Sequence, residues 1–133
     1  MTRVLLLDDN PAQLKFRELL FGRAGIECLV AHHPTEALTM LEDDAPSRSI
    51  GAVISDHTMP GMRGPEFVGR LRAIDAGLPV IVLSGLPGAA PEYDGLQVTF
   101  RQKPCEPEDL LALVVGAMGR ASGGTTGNGA ERP

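Results

Sequence analysis

The sequence predicts an α/β domain whose parallel sheet is covered by helices on both faces. Three observations predict it. Val4–Leu7, Ala52–Ile54 and Val80–Leu83 are short aliphatic runs, the pattern of buried parallel strands. Segments of helical spacing alternate with them along the chain. Each run, and a fourth at Val98–Phe100, leads into polar residues: Asp8-Asp9, Ser55-Asp56, Ser84 and Lys103-Pro104. Open α/β sheets bind their ligands outside the carboxyl ends of the strands. Three carboxylates, a hydroxyl and an ammonium therefore converge on one edge.

The elements follow in order. Arg3 to Leu7 is the first strand. Asn10 then caps a helix with Pro11 at its first position, where a missing N–H costs nothing. Leu14, Leu19 and Leu20, with Phe16, form its apolar side, and Gly25 follows its end. Ile26 to Ala31 is the second strand. Pro34 to about Asp43 is the second helix, with Ala37, Leu38 and Leu41 inward. Pro46 and Ser47 fall in a loop, and the third strand spans about Gly51 to Ser55. Met59 to Gly64 cannot continue regular structure. Pro65 opens the third helix, with Phe67, Val68, Leu71 and Ile74 at helical spacing, and Gly77 ends it.

Pro79 to Leu83 is the fourth strand and about Gln97 to Phe100 the fifth. The crossover between them, Leu86 to Gly95, calls for a helix 4. Gly85, Pro87, Gly88, Pro91 and Gly95 oppose one, so a short or distorted helix is expected. Pro107 to Met118 is the last helix, with Leu110, Leu111, Val114 and Val115 apolar. Gly, Ser, Thr and Asn dominate from Gly119 to Pro133, the composition of a disordered tail or linker. Residues 1–118 are then the folded domain.

A chain of 133 residues suits one domain that needs no metal or disulfide staple. With 4% aromatic residues and no Trp, its core should be aliphatic. A net charge of −5 argues against a nucleic-acid surface, which needs a basic patch. Cys28 and Cys105 are too few for a disulfide framework and suit reduced thiols in the cytoplasm. No apolar leader or membrane-length run is visible, so no membrane insertion is expected. His32-His33 are adjacent, not at i, i+4 spacing, and adjacent residues on a strand point to opposite faces, so no metal role is assigned to them.

The converging groups suit phosphoryl chemistry. Magnesium takes oxygen ligands, keeps several waters and is usually held by one or two carboxylates plus phosphate. Asp8, Asp9 and Asp56 can supply such a site, the cation relieving their mutual repulsion. Asp56 can then act as an oxygen nucleophile. Lys103 can pair with a phosphate oxygen, and the Ser84 hydroxyl can hydrogen-bond another.

In order and spacing these elements resemble the receiver domain of two-component response regulators, over about Thr2 to Met118. The matching residues are Asp8-Asp9, the segment Asp56-x-x-Met59-Pro60-Gly61, Ser84-Gly85 and Lys103-Pro104. The resemblance implies a flavodoxin-like sheet of order 2-1-3-4-5. It implies Asp56 as phospho-acceptor, Asp8, Asp9 and Asp56 around Mg2+ (or Mn2+), and the Thr58 carbonyl as a further ligand. It implies Ser84 and Phe100 as switch residues and a cis peptide between Lys103 and Pro104.

The implied donor is a histidine kinase or a histidine phosphotransfer protein, and the implied output is control of a protein partner. No enzyme activity is expected beyond self-phosphorylation from phosphodonors and self-dephosphorylation. The Pro60–Pro65 loop and Leu83-Ser84-Gly85 are similar to receivers of hybrid histidine kinases. The competing reading is a phosphorylation-independent interaction module on the same fold. A hydrolase turning over an aspartyl phosphate ranks behind both, because no substrate-capping element is identifiable.

Overall fold

A computed structural model describes residues 3–43 and 50–123. Pro46, Ser47 and the chain beyond residue 123 lie outside them. In chain order the elements are β1 (Arg3–Leu7), α1 (Pro11–Arg23), β2 (Glu27–Ala31), α2 (Pro34–Glu42), β3 (Ile50–Asp56), α3 (Gly64–Ile74), β4 (Val80–Ser84), a 3-10 turn (Ala90–Tyr93), β5 (Thr99–Gln102) and α4 (Pro107–Gly123).

The five strands pair in parallel, in the order β2-β1-β3-β4-β5. Alternation along each strand divides the core in two. Leu5, Leu7, Val53, Val80 and Val82 face α2 and α3, joining Leu38, Leu41, Phe67, Val68 and Leu71. Val4, Leu6, Ile54, Ile81 and Leu83 face α1 and α4, joining Leu14, Phe21, Leu110 and Val114. This is the flavodoxin-like, doubly wound sheet with helices on both faces.

Helix α1 begins as its sequence dictates. The Asn10 side chain accepts from the backbone N–H groups of Ala12 (3.0 Å) and Gln13 (3.3 Å). Its buried face is the expected one at Leu14 and differs elsewhere. Leu14, Arg17 and Phe21 turn inward, whereas Phe16 and Leu19 are 55% and 57% exposed. The cause is Arg17. Its guanidinium pairs with buried Asp8 and sets the rotation of the helix, which leaves Phe16 about 100° away around the axis.

The fourth crossover holds a single 3-10 turn in place of an α-helix. Gly88 and Gly95 bracket it at φ of +79° and +82°, a conformation that suits residues without a Cβ. Ala89 and Tyr93 anchor the segment in the core. Arg72 on α3 holds its far end, donating to the carbonyls of Leu96 (2.8 Å), Gln97 (2.9 Å), Leu78 (2.6 Å) and Asp75 (3.3 Å). At the C-terminal side α4 continues past Met118 to Gly123. The Gly-rich composition therefore does not stop the helix where the sequence reading ended it. Among the described residues no helix is long and apolar enough to cross a membrane.

Candidate functional site

The carboxyl ends of β1, β3 and β4 carry the site. Asp8 follows β1 and is fully buried, Asp9 beside it is exposed, and Asp56 is the last residue of β3. One oxygen from each of Asp8, Asp9 and Asp56 lies within 4.8 Å of the others. Crowded carboxylates of this kind repel unless a cation joins them. The donors are all oxygens, the chemistry that Mg2+ prefers.

Asp56 Oδ1 shows the same need. It is buried and accepts no hydrogen bond, the one side-chain polar atom so placed among the described residues. Its near neighbour is Lys103 Nζ at 2.7 Å, an ion pair without hydrogen-bond geometry. A buried carboxylate oxygen with spare acceptor capacity beside two further carboxylates fits a divalent cation. The cluster can therefore coordinate one.

Backbone pairing fixes these side chains. The N–H of His57 bonds Leu83 O at 2.8 Å, which holds the end of β3 against β4. The N–H of Lys103 bonds Ser84 O at 2.7 Å, which brings the lysine over Asp56. The Lys103–Pro104 peptide is cis. Thr58 lies exposed in the loop two residues past Asp56. The Ser84 hydroxyl is buried and engaged locally, accepting from Leu86 N–H at 3.0 Å and donating to Leu86 O at 3.3 Å. Phe100 is half-buried, its ring centre 5.8 Å from that of Tyr93.

Three further residues border the site that the sequence did not single out. Arg17 Nη1 donates to Asp8 Oδ2 at 3.1 Å, and its Nη2 donates to Gln13 Oε1 at 2.6 Å. The other Asp8 oxygen accepts the Asn10 N–H at 2.9 Å. Burial nevertheless raises the Asp8 pKa above the usual carboxylate value. The Asn10 N–H opposes the shift, the Asp56 charge adds to it, and Arg17 and Lys103 oppose it. His57 and Tyr93 form the second feature, with Nδ1 2.6 Å from the phenol oxygen. Burial raises the Tyr93 pKa well above that of a free phenol, with the Glu92 charge adding to it.

Other charged and polar residues sit apart from this cluster. Arg63 pairs with Glu92 at 2.7 Å and Arg70 with Glu66 at 2.9 Å. His32 approaches Glu36 at 3.8 Å. Cys105 is half-buried, and desolvation raises its thiol pKa first of all, with the Asp109 charge adding.

Fold and site together define an α/β domain with an acid cluster able to coordinate a cation and a paired lysine at the carboxyl edge of its sheet. The chain belongs to the response regulator receiver domain family, whose sequence model matches residues 4–115. It is thus a CheY-like signalling domain of two-component systems rather than an enzyme of the ordinary kind. An uncharacterised 14.6 kDa protein from the sodA1 3' region of Leptolyngbya boryana is 31% identical over 116 residues, covering 84% of this chain and 86% of that protein. A receiver domain protein from Clostridium thermocellum superposes with a TM-score of 0.81 at 26% identity, covering 92% of this chain and 98% of its own. The receiver of the hybrid histidine kinase CckA superposes at 0.72 with 31% identity, covering 87% and 98%. Transcriptional regulators among the curated relatives are longer: the chain spans 25% of one and 57% of another.

Proposed function

We propose that this chain is a magnesium-dependent phospho-acceptor switch, phosphorylated on Asp56 by a histidine kinase or a histidine phosphotransfer protein. The observation that carries the reading is Asp56 itself. It is a buried carboxylate, adjacent to two more, with a lysine ammonium at 2.7 Å and one oxygen free of hydrogen bonds. That oxygen is the nucleophile. A P–O bond forms on it as the P–N bond to the donor imidazole breaks, and the departing imidazole takes its proton from solvent.

Asp8, Asp9 and Asp56 would hold the cation, with the Thr58 carbonyl as a further ligand. The cation, when bound, offsets carboxylate charge and charge on the incoming phosphoryl oxygens. Lys103 neutralises another phosphoryl oxygen. Ser84 rotates from its local pairing with Leu86 to donate to a third, and Phe100 repacks in response. Phosphorylation thereby shifts an equilibrium between two conformers, and a protein partner reads the result. The domain comprises residues 1–118 and the last turn of α4 to Gly123, works in the cytoplasm, and contacts neither nucleic acid nor bilayer itself.

The 3-10 turn in place of a fourth helix favours a second reading, a constitutive interaction module that ignores phosphate. Beryllofluoride, a phosphoryl mimic, separates the two. Fluorine NMR should show bound beryllofluoride only with Mg2+ present, and Asp56→Asn should abolish the signal. No bound signal in the unmodified chain would leave the constitutive module.

A further inference from the structure

We infer that Arg17 is a built-in counter-cation that weakens metal binding at the acid cluster. The inference rests on the metal site proposed above.

The observations are these. Arg17 lies on the core-facing side of α1, at a position whose helical neighbours Leu14 and Phe21 are apolar. Its side chain is 7% exposed and that of its partner Asp8 1% exposed. A guanidinium is buried at such a position only if its charge is matched and its donors are used. Both conditions hold: Asp8 Oδ2 matches the charge at 3.1 Å, and Gln13 Oε1 takes a further donor at 2.6 Å. Gln13 is one turn away on the same helix, so α1 itself orients the guanidinium, and the pair with Asp8 at the end of β1 is set when the helix docks.

The consequence is electrostatic. Lys103 pairs with Asp56 and Arg17 with Asp8, so three carboxylates already face two resident cations. Only one formal negative charge remains to attract a dication. Asp8 is also occupied at both oxygens, Oδ1 by the Asn10 N–H and Oδ2 by Arg17. Its Oδ2 can turn fully to a metal only by loosening the arginine. A unit charge this near changes the binding of a dication by roughly tenfold, even with screening close to that of water. The pair is buried, so salt screens it poorly.

The opposite role makes the opposite prediction. If Arg17 served only to hold Asp8 in position, its loss would disorder a ligand and weaken metal binding. The direction of change therefore decides the matter.

The experiment uses the full chain with Arg17→Met, which keeps an unbranched side chain in the core, and Arg17→Lys, which keeps the charge. Mn2+ binding is read from the loss of the free-ion electron paramagnetic resonance signal. Thermal melts are recorded across a Mg2+ titration. Arg17→Met should bind Mn2+ roughly tenfold more tightly than the unmodified chain. It should melt at lower temperature without metal, because Asp8 is left buried and unpaired, and show the larger Mg2+-induced rise. Arg17→Lys should stay within about threefold of the unmodified affinity. Unchanged or weaker Mn2+ binding in Arg17→Met would overturn the inference. Absence of binding in the unmodified chain would instead overturn the metal site itself. Should Arg17→Met fail to fold without metal, recovery of the fold at Mg2+ levels that half-saturate the unmodified chain supports the inference, and failure to recover at saturating Mg2+ overturns it.

Discussion

His57 Nδ1 lies 2.6 Å from the Tyr93 hydroxyl, which ties the residue after Asp56 to the segment that replaces the fourth crossover helix. The two rings meet edge to face at 5.5 Å, and Tyr93 also touches Phe100 at 5.8 Å. Glu92 Oε2 stands 4.0 Å from His57 Nε2, and Glu92 Oε1 pairs with Arg63. A 3-10 turn has few hydrogen bonds of its own. Here the His57 side chain, just past the end of β3, supplies the missing restraint through Tyr93, one residue from Asp56.

Tyr93→Phe keeps the ring and removes the hydrogen bond. It should lower stability by about 1–2 kcal/mol, since His57 is left buried without its partner. Chemical denaturation measures the loss. Amide exchange should quicken most between residues 89 and 96, where the turn loses its anchor.

Gly64 opens α3 directly beneath Tyr93. A Cβ there would collide with the phenol oxygen and stand 3.1 Å from the His57 carbonyl. Gly64→Ala should therefore cost about 1–3 kcal/mol and displace Tyr93, although alanine is the better helix former. A melting curve checks the cost. Fluorescence of Tyr93, the single tyrosine, reports the displacement.

Arg72 performs the same service at the other end of the segment. It donates to four backbone carbonyls, and burial lowers its pKa while Asp75 raises it. Arg72→Met should cost about 2 kcal/mol and make the chain near Gln97 sensitive to protease. Arg72→Lys should recover little, because an ammonium cannot reproduce the guanidinium fork.

Cys28 provides a pH test. Burial, with the Glu18 and Glu27 charges adding, raises its thiol from 9.0 to about 11. Alkylation at pH 8 should be slowed by a roughly hundredfold smaller thiolate fraction than that of the unfolded chain. The sign for stability follows from proton binding. The folded state holds the proton more tightly, so this contribution is whole below pH 9 and is lost as pH climbs through about 11.

The sheet and its acids were legible because the signal was local. Aliphatic runs such as Val80–Leu83 name buried strands, and Asp8, Asp9, Asp56 and Lys103 stand at or just past strand ends. Parallel order then gathers them without further information. Arg17 was not legible, since a charged helix residue next to Phe16 reads as solvated surface. Its pairing with Asp8, across nine residues, places it on the buried side of α1 beside Leu14, which the sequence did identify as core. The His57–Tyr93 bond joins residues 36 apart, one of them in a Gly- and Pro-rich segment that carries no period. Breakers forecast the missing helix there; they could not forecast the side chains that hold the segment in its absence.

Incubation of the chain with a small phosphodonor and Mg2+, followed by intact-mass and peptide analysis, is the decisive test of Asp56 as phospho-acceptor. One phosphoryl group should be gained on Asp56, prevented by adding a chelator beforehand and absent in Asp56→Asn. An unmodified mass with Mg2+ present, or a phosphoryl group that persists in Asp56→Asn, would contradict that role.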